Sequence, residues 1–396
     1  MFAPWLKSEA LLIILIAIAG VRIPAQTKNA AAIPAPHSTP HIEWNARSLS
    51  LIQSNGYYAR IIRLQNGQLL CGFDCERKVQ VRRSSDEGKT WQTPVTAAEW
   101  PHGRLTNAEL LQLRDGSLLC FYNERPRRRS GKTNAPQPAI EVPYAVSMVR
   151  SDDNGFTWHA PQTLYSAGVE FTNGCWEPAA IQLPSGEVQL FFSSEGPYRN
   201  SDEQEITLLR SNDGARTWSA PEKISFRPGA RDGMPVPLVL KNGSIAFSIE
   251  DNGLSGLFKP TIVWTSLADN WRSGVRGPAS TNRWGALRVL PPPHVSASAP
   301  YLRQMPTGET VLSFQRSETG EMENAYMVVC IGDENARNFD SPSVPFPKTT
   351  RAQLWNSLFV KDKNTLVAVS ETTINGIFGI WSIEGRLSGT YGTKSR

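Results

Sequence analysis

One octapeptide pattern, S-x-D-x-G-x-T-W, occurs twice intact in this chain, as SSDEGKTW at Ser84–Trp91 and as SDDNGFTW at Ser151–Trp158. A third copy, SNDGARTW at Ser211–Trp218, keeps the Ser, Asp, Thr and Trp but places its glycine one residue early, at Gly214. Two worn copies follow. Ser266–Trp271 retains Asp269 and the Trp, and Gly332–Phe339 retains Asp333 with Phe in the aromatic slot. The chemistry is that of a hairpin clasp: the Asp accepts backbone N–H groups inside the turn, the Gly supplies positive φ, and the Trp packs back beneath the strands. An EF-hand type of Ca²⁺ loop would need a different ligand spacing, which is absent.

A second element alternates with the clasp: an apolar strand, a tight turn and another apolar strand. It reads IIRLQNGQLLCGF around Asn66-Gly67, LLQLRDGSLLCFY around Asp115-Gly116 and AAIQLPSGEVQLFF around Ser185-Gly186. It recurs as PLVLKNGSIAFSI around Asn242-Gly243, YLRQMPTGETVLSF around Thr307-Gly308 and SLFVKDKNTLVAV around Lys363-Asn364. Each of the first five hairpins is followed by a further strand and a clasp, at a period of roughly 50 to 70 residues, which is room for four strands. Twelve Trp, 30 Gly and 29 Pro with 19% charged residues suit a turn-rich β protein. The expectation is an all-β six-bladed β-propeller with Asp-box hairpins over residues 45–390. The sixth unit, Trp355 to about Leu387, lacks a box, so Ser48–Gln53 is expected to add its last strand and close the ring.

The N-terminus is a separate matter. Ala10–Val21 is an unbroken apolar run after Lys7, shorter than the roughly 20 residues that span a bilayer, so residues 1–25 read as a signal peptide and 26–44 as an Ala/Pro-rich linker. This predicts a secreted or periplasmic protein, with an uncleaved N-terminal anchor as the alternative and no other membrane association. The five cysteines, Cys71, Cys75, Cys120, Cys175 and Cys330, are an odd number and imply no disulfide framework; small buried side chains on strands are expected, and no metal site or cofactor. Net charge is +5, partly from Arg125, Arg127, Arg128, Arg129 and Lys132. That run sits in one Pro-rich loop without interleaved aromatics, so a solvated loop is the plain reading, an acidic glycan the sharper one, and nucleic acid is disfavoured. A monomer is expected.

Topology also locates a site. In a propeller the first strand of each hairpin lines the axis and the tight turns share one face, so the opposite face collects strand starts and returning strand ends. Those positions are Tyr58, Arg60, Asp74 and Glu76; Asn107, Glu109, Asn123 and Glu124; Trp176, Glu177 and Glu195. The remaining blades add Arg231, Asp232, Met234, Glu250 and Asp251; Tyr301, Gln315 and Arg316; Trp355, Asn356 and Glu371. A ring of acids with aromatic faces fits a glycan site. Taken singly, Glu76, Glu109, Glu124, Glu195 and Glu371 read as solvated or Arg-paired strand ends. The substrate-binding candidates are Tyr58, Arg60, Asn107, Trp176, Arg231, Asp232, Met234, Tyr301, Gln315 and Trp355.

The boxes and hairpins resemble the sialidase-like propeller superfamily over about residues 45–385. Within it, GCWEPAAIQLPSGEVQLFFSSE (Gly174–Glu195), RDGMPVPLVLKNGSIAFSIED (Arg231–Asp251) and SAPYLRQMPTGETVLSFQ (Ser298–Gln315) are similar to the exo-1,5-α-L-arabinanase family of glycoside hydrolases, family 93. The resemblance implies a retaining glycosidase acting on an oligo- or polysaccharide such as arabinan. It implies Glu177 as acid/base and Glu250 as nucleophile. Two other readings stand beside it. An exo-α-sialidase is suggested by ARII at Ala59–Ile62, with Arg60 in place; against it, the segment lacks its Pro, and Ser193–Glu195 stands where an Arg is expected. A non-catalytic carbohydrate-binding propeller is the third.

Overall fold

The computed structural model describes residues 39–127, 142–349 and 351–389. The proposed signal peptide, most of the linker, and Arg128, Arg129 and Lys132 of the basic run lie outside the described residues. Twenty-four strands form six four-stranded antiparallel sheets, arranged as the blades of a propeller. The inner strands are Gly56–Arg63, Gly103–Gln112, Cys175–Gln182, Asp232–Val239, Ser296–Gln304 and Leu354–Val360, which start blades 1 to 6. Among the described residues no helix is long and apolar enough to cross a membrane.

Each inner strand returns through a tight turn. In blades 1 to 5 a glycine takes the left-handed position the turn requires: Gly67, Gly116, Gly186, Gly243 and Gly308, with φ between 83° and 118°. The sixth turn has no glycine. Asp362 closes it by accepting the N–H groups of Asn364 and Thr365, both at 2.9 Å.

The boxes are built as their sequence implies. In the second, Asp153 Oδ1 accepts from Phe156 N (3.0 Å) and Thr157 N (2.9 Å) while its Oδ2 accepts from the Thr157 hydroxyl (2.6 Å). These bonds hold the Asp153 carboxyl down at about 2 although partial burial acts against them. The worn copies are rebuilt from other donors: Thr265 and Ser273 serve Asp269, and Arg337 and Asn338 serve Asp333. The box aromatics do more than clasp their own blade. Trp158 packs against the apolar cluster shared by blades 1 and 2, Trp218 against that of blades 2 and 3, and Trp271 and Phe339 sit in the next two. Each therefore seals the seam to the preceding blade, where non-directional apolar burial holds the ring together.

Blade 6 is closed by the N-terminal strand His41–Ser54, which pairs antiparallel with Ile377–Ser388 at the chain's other end. The strand contains the expected Ser48–Gln53 but begins earlier, so residues 41–44, assigned above to the linker, belong to the propeller. A register break between Asn45 and Ser50 lets the longer strand follow the twisted edge. All five cysteines are buried and free.

Candidate active site

At the axis the inner strands share a feature that strand-start counting does not reveal. Each has one register slip, and the residue at the slip has positive φ: Tyr58, Asn107, Glu177, Met234, Ala299 and Trp355, between 48° and 60°. None is glycine, so each non-Asn position carries a left-handed cost of about 1–2 kcal/mol. The bulge N–H is in every case taken by a side chain from the preceding blade's second strand. Tyr58 N donates to Glu371 (3.2 Å), Asn107 N to Asp74 (2.9 Å) and Glu177 N to Asn123 (2.8 Å). Met234 N donates to Ser193 (3.0 Å), Ala299 N to Glu250 (2.8 Å) and Trp355 N to Gln315 (2.7 Å). Six equivalent bonds thus circle the mouth, and they account for five of the returning strand ends that the sequence places there, Asp74, Asn123, Glu250, Gln315 and Glu371.

Two acids are partly released from this duty. Glu177 is a bulge residue itself, and it is half-buried. Glu250 accepts the Ala299 N–H on Oε2 and is likewise half-buried. Ser193 links the two blades, accepting from Met234 N and donating to Glu177 Oε2 at 3.2 Å. Burial, then the negative charge of Glu250, raises the Glu177 carboxyl to about 7, against the pull of Arg125. Burial also raises Glu250, but the Ala299 N–H and the Arg231 charge oppose it. Both carboxyls are thus raised, Glu177 with its partner's charge added to burial and Glu250 with a backbone N–H and a cation opposing burial.

The channel below is plugged. Tyr58, Met234 and Ala299 form a buried apolar cluster with Trp355 packed against it. Beneath them Arg60, 1% exposed, donates to the Ala59 and Trp355 carbonyls at 2.9 and 3.1 Å. Its guanidinium lies over the rings of Tyr58 (3.8 Å) and Tyr301 (4.7 Å) and 3.7 Å from Glu109. Arg60 and Tyr301 therefore support the floor of the mouth instead of facing a ligand.

A cavity of about 610 Å³ opens over blades 6, 1 and 2, lined by Tyr58, Asn107 and Trp355 together with Asp74, Arg77, Arg104, Arg125 and Glu371. Neither Glu177 nor Glu250 lines it, but Arg125 connects it to Glu177, since its guanidinium feels both Glu177 and Asp74. Trp176 is buried against Tyr144 and Phe171, with the Arg125 guanidinium 4.7 Å from its ring centroid. Arg231 is paired with Glu195 and also donates to the Asp202 carbonyl at 3.2 Å. Gln315 is spent on the bulge of Trp355.

Beside Arg60 and Tyr301, a further substrate-binding candidate is corrected. Asp232 is fully buried, with Arg283 on both oxygens at 2.6 Å and Ser225 on Oδ2 at 2.7 Å, so it faces away from the mouth and ties its blade together. Asp251 belongs to the same ion-paired group through Arg283 and Arg227. Residues the sequence reading missed are Ser193, Arg77 and Arg104. A serine at a strand end carries no signal of its own, and the two arginines stand outside the hairpin motif.

Comparisons with known proteins follow this geometry. Residues 140–260 match the BNR repeat-like domain family. Among curated proteins no sequence matches the chain. A protein of unknown function from Dyadobacter fermentans shares the fold with a TM-score of 0.67 at 15% identity, covering 88% of this chain and 100% of that one. The α-L-arabinanase of Penicillium chrysogenum, solved with arabinobiose, has a TM-score of 0.61 at 20% identity, covering 89% and 98%. The Hadza microbial sialidase Hz136 has a TM-score of 0.57 at 14% identity, covering 85% and 66%. At these identities the likeness is one of fold. The chain is a six-bladed propeller with a BNR repeat-like match over residues 140–260, and it shares its fold with an arabinanase and a sialidase.

Proposed function

We propose that the protein is a retaining glycoside hydrolase in which Glu177 is the acid/base and Glu250 the nucleophile. The observation that supports this is the pair itself. Two half-buried carboxyls on adjacent blades share the mouth, one raised to about 7 by burial and by its partner's charge, the other held by a backbone N–H. At mildly acidic pH Glu177 is protonated and can pass its proton to the leaving oxygen. Glu250, ionised, attacks the anomeric carbon to form a glycosyl-enzyme. Glu177, now a base, then activates the water that releases the sugar. Retention requires carboxyls about 5 to 5.5 Å apart.

The fold shared with an arabinanase makes α-L-arabinofuranosides the first substrates to test. The sialidase reading is weakened because it needs Arg60 to grip a sugar carboxylate, and that guanidinium is covered. A secreted location, from the N-terminal segment, fits a polysaccharide substrate. The experiment is hydrolysis of aryl α-L-arabinofuranosides and arabino-oligosaccharides by wild type, Glu177→Gln and Glu250→Gln, with the anomer first released read by NMR. Each variant is expected to lose at least about a hundredfold in kcat. Sialic acid release that survives Glu250→Gln would overturn the pair, and a wild type inert on every glycan would leave only a binding role.

A further inference from the structure

Next to the catalytic mouth lies a second cavity of about 460 Å³, and its lining differs from that of the first. It contains Arg77, Arg104, Arg125 and Arg127 with Tyr144 and Phe171, and no carboxylate among the described residues. It shares Arg77, Arg104 and Arg125 with the larger cavity, so the two are continuous. We propose that this trench is a subsite for an anionic sugar, one bearing a carboxylate or a sulfate, placed beside the sugar that is cleaved. The inference rests on the catalytic reading for the position of cleavage, but the trench is argued from its own residues.

Three observations support it. First, Arg104 and Arg125 stand directly opposite each other in the antiparallel pair of blade 2, where like charges repel at close range. Arg125 feels Glu177 and Asp74 at longer range, but among the described residues none of the four arginines has a carboxylate within salt-bridge distance to offset that repulsion directly. An anion between them would. Secondly, Arg125 is incompletely satisfied: its Nη2 donates to Asn107 at 3.3 Å, while its Nε is buried without a hydrogen-bond partner. A guanidinium presents donors in a planar fork that fits a carboxylate or sulfate edge. Thirdly, Arg77 is delivered by a costly turn. Glu76 and Arg77 are the central residues of a two-residue hairpin and have φ of 49° and 74°, positions that favour Asn-Gly. Such strain persists where the surroundings hold it and tends to collect at ligand sites. Phe171, packed edge-on against Tyr144 and tilted against Trp176, adds an aromatic wall.

The test is binding by calorimetry with three probes: trigalacturonate, its methyl ester and a sulfated galactobiose. Wild type is expected to bind at least one charged probe about tenfold tighter than the uncharged ester at low salt, and added NaCl should shrink the gap. Arg104→Gln and Arg77→Gln should each narrow the gap with circular dichroism unchanged. The carboxylate and sulfate arms identify which anion is taken. Equal affinity for charged and uncharged probes, or a gap that survives the Arg77→Gln/Arg104→Gln double variant, would overturn the subsite. Hydrolysis of aryl arabinofuranosides, measured on the same preparations, separates the two ideas. Hydrolysis without charge preference removes the trench alone, whereas charge preference without hydrolysis removes the catalytic assignment alone.

Discussion

Glu177 and Glu250 differ in what holds them, and that difference should be readable in solution. In the proposed mechanism Glu177 must be protonated to act as acid, and its carboxyl is raised to about 7, so kcat/KM should fall as pH rises through about 7. The acidic limb follows Glu250, which must be ionised and whose carboxyl is raised above its ordinary value. Because the groups interact, both limbs belong to the pair. Arg125 lowers Glu177. Arg125→Gln should therefore move the alkaline limb upward, measured as a pH profile on an aryl glycoside. A limb that stays in place would mean that another group sets it. This residue-scale logic was only half legible beforehand. The hairpin pattern and the resemblance of the segments Gly174–Glu195 and Arg231–Asp251 pointed to both acids, but Arg125 read as part of a solvated loop, because its strand partner Arg104 lies outside any motif.

At the scale of elements, the six bulges show why one set of strand-end residues is so mixed in chemistry. The requirement at each position is an acceptor for one backbone N–H, which Glu, Asp, Asn, Ser and Gln all supply. That explains how a ring of acids could be read from sequence while most of its members serve the fold. The hairpins and boxes were visible because glycine turns and the Trp spacing leave a periodic trace. The bulges were not, because positive φ at Tyr58, Glu177 or Trp355 is imposed by tertiary bonds against local preference. One consequence concerns Glu371, whose carboxyl is raised to about 8, first by burial and also by the nearby Asp74, against the Tyr58 N–H. A carboxyl raised on folding contributes stability that is complete below its unfolded value and is lost as pH rises through its folded value. The melting temperature should accordingly decline between about pH 5 and 9. Glu371→Gln keeps an amide acceptor for Tyr58 N, as Gln315 does for Trp355, and should flatten that decline in a calorimetric pH series. An unchanged slope would place the cause elsewhere.

For the whole molecule, closure depends on His41–Ser54. Removing residues 1–54 would leave Ile377–Ser388 as an open edge and strip Ile42, Trp44 and Leu51 from the cluster that buries Trp381, Ile383 and Leu387. The truncated chain is expected to aggregate, or to unfold well below the full chain on heating, as measured by size-exclusion chromatography and circular dichroism. Retention of the full chain's melting temperature would show that three strands suffice for blade 6. Closure was the whole-molecule feature most legible in sequence, since five boxes serve six hairpins and the unit without a box needs a strand from elsewhere. The same pairing sets a timetable for synthesis. The strand made first finds its partner only after the final blade has been made, so until then it must stay unpaired and out of reach of neighbouring chains. Ring closure is the last long-range step of folding, and a late one by necessity.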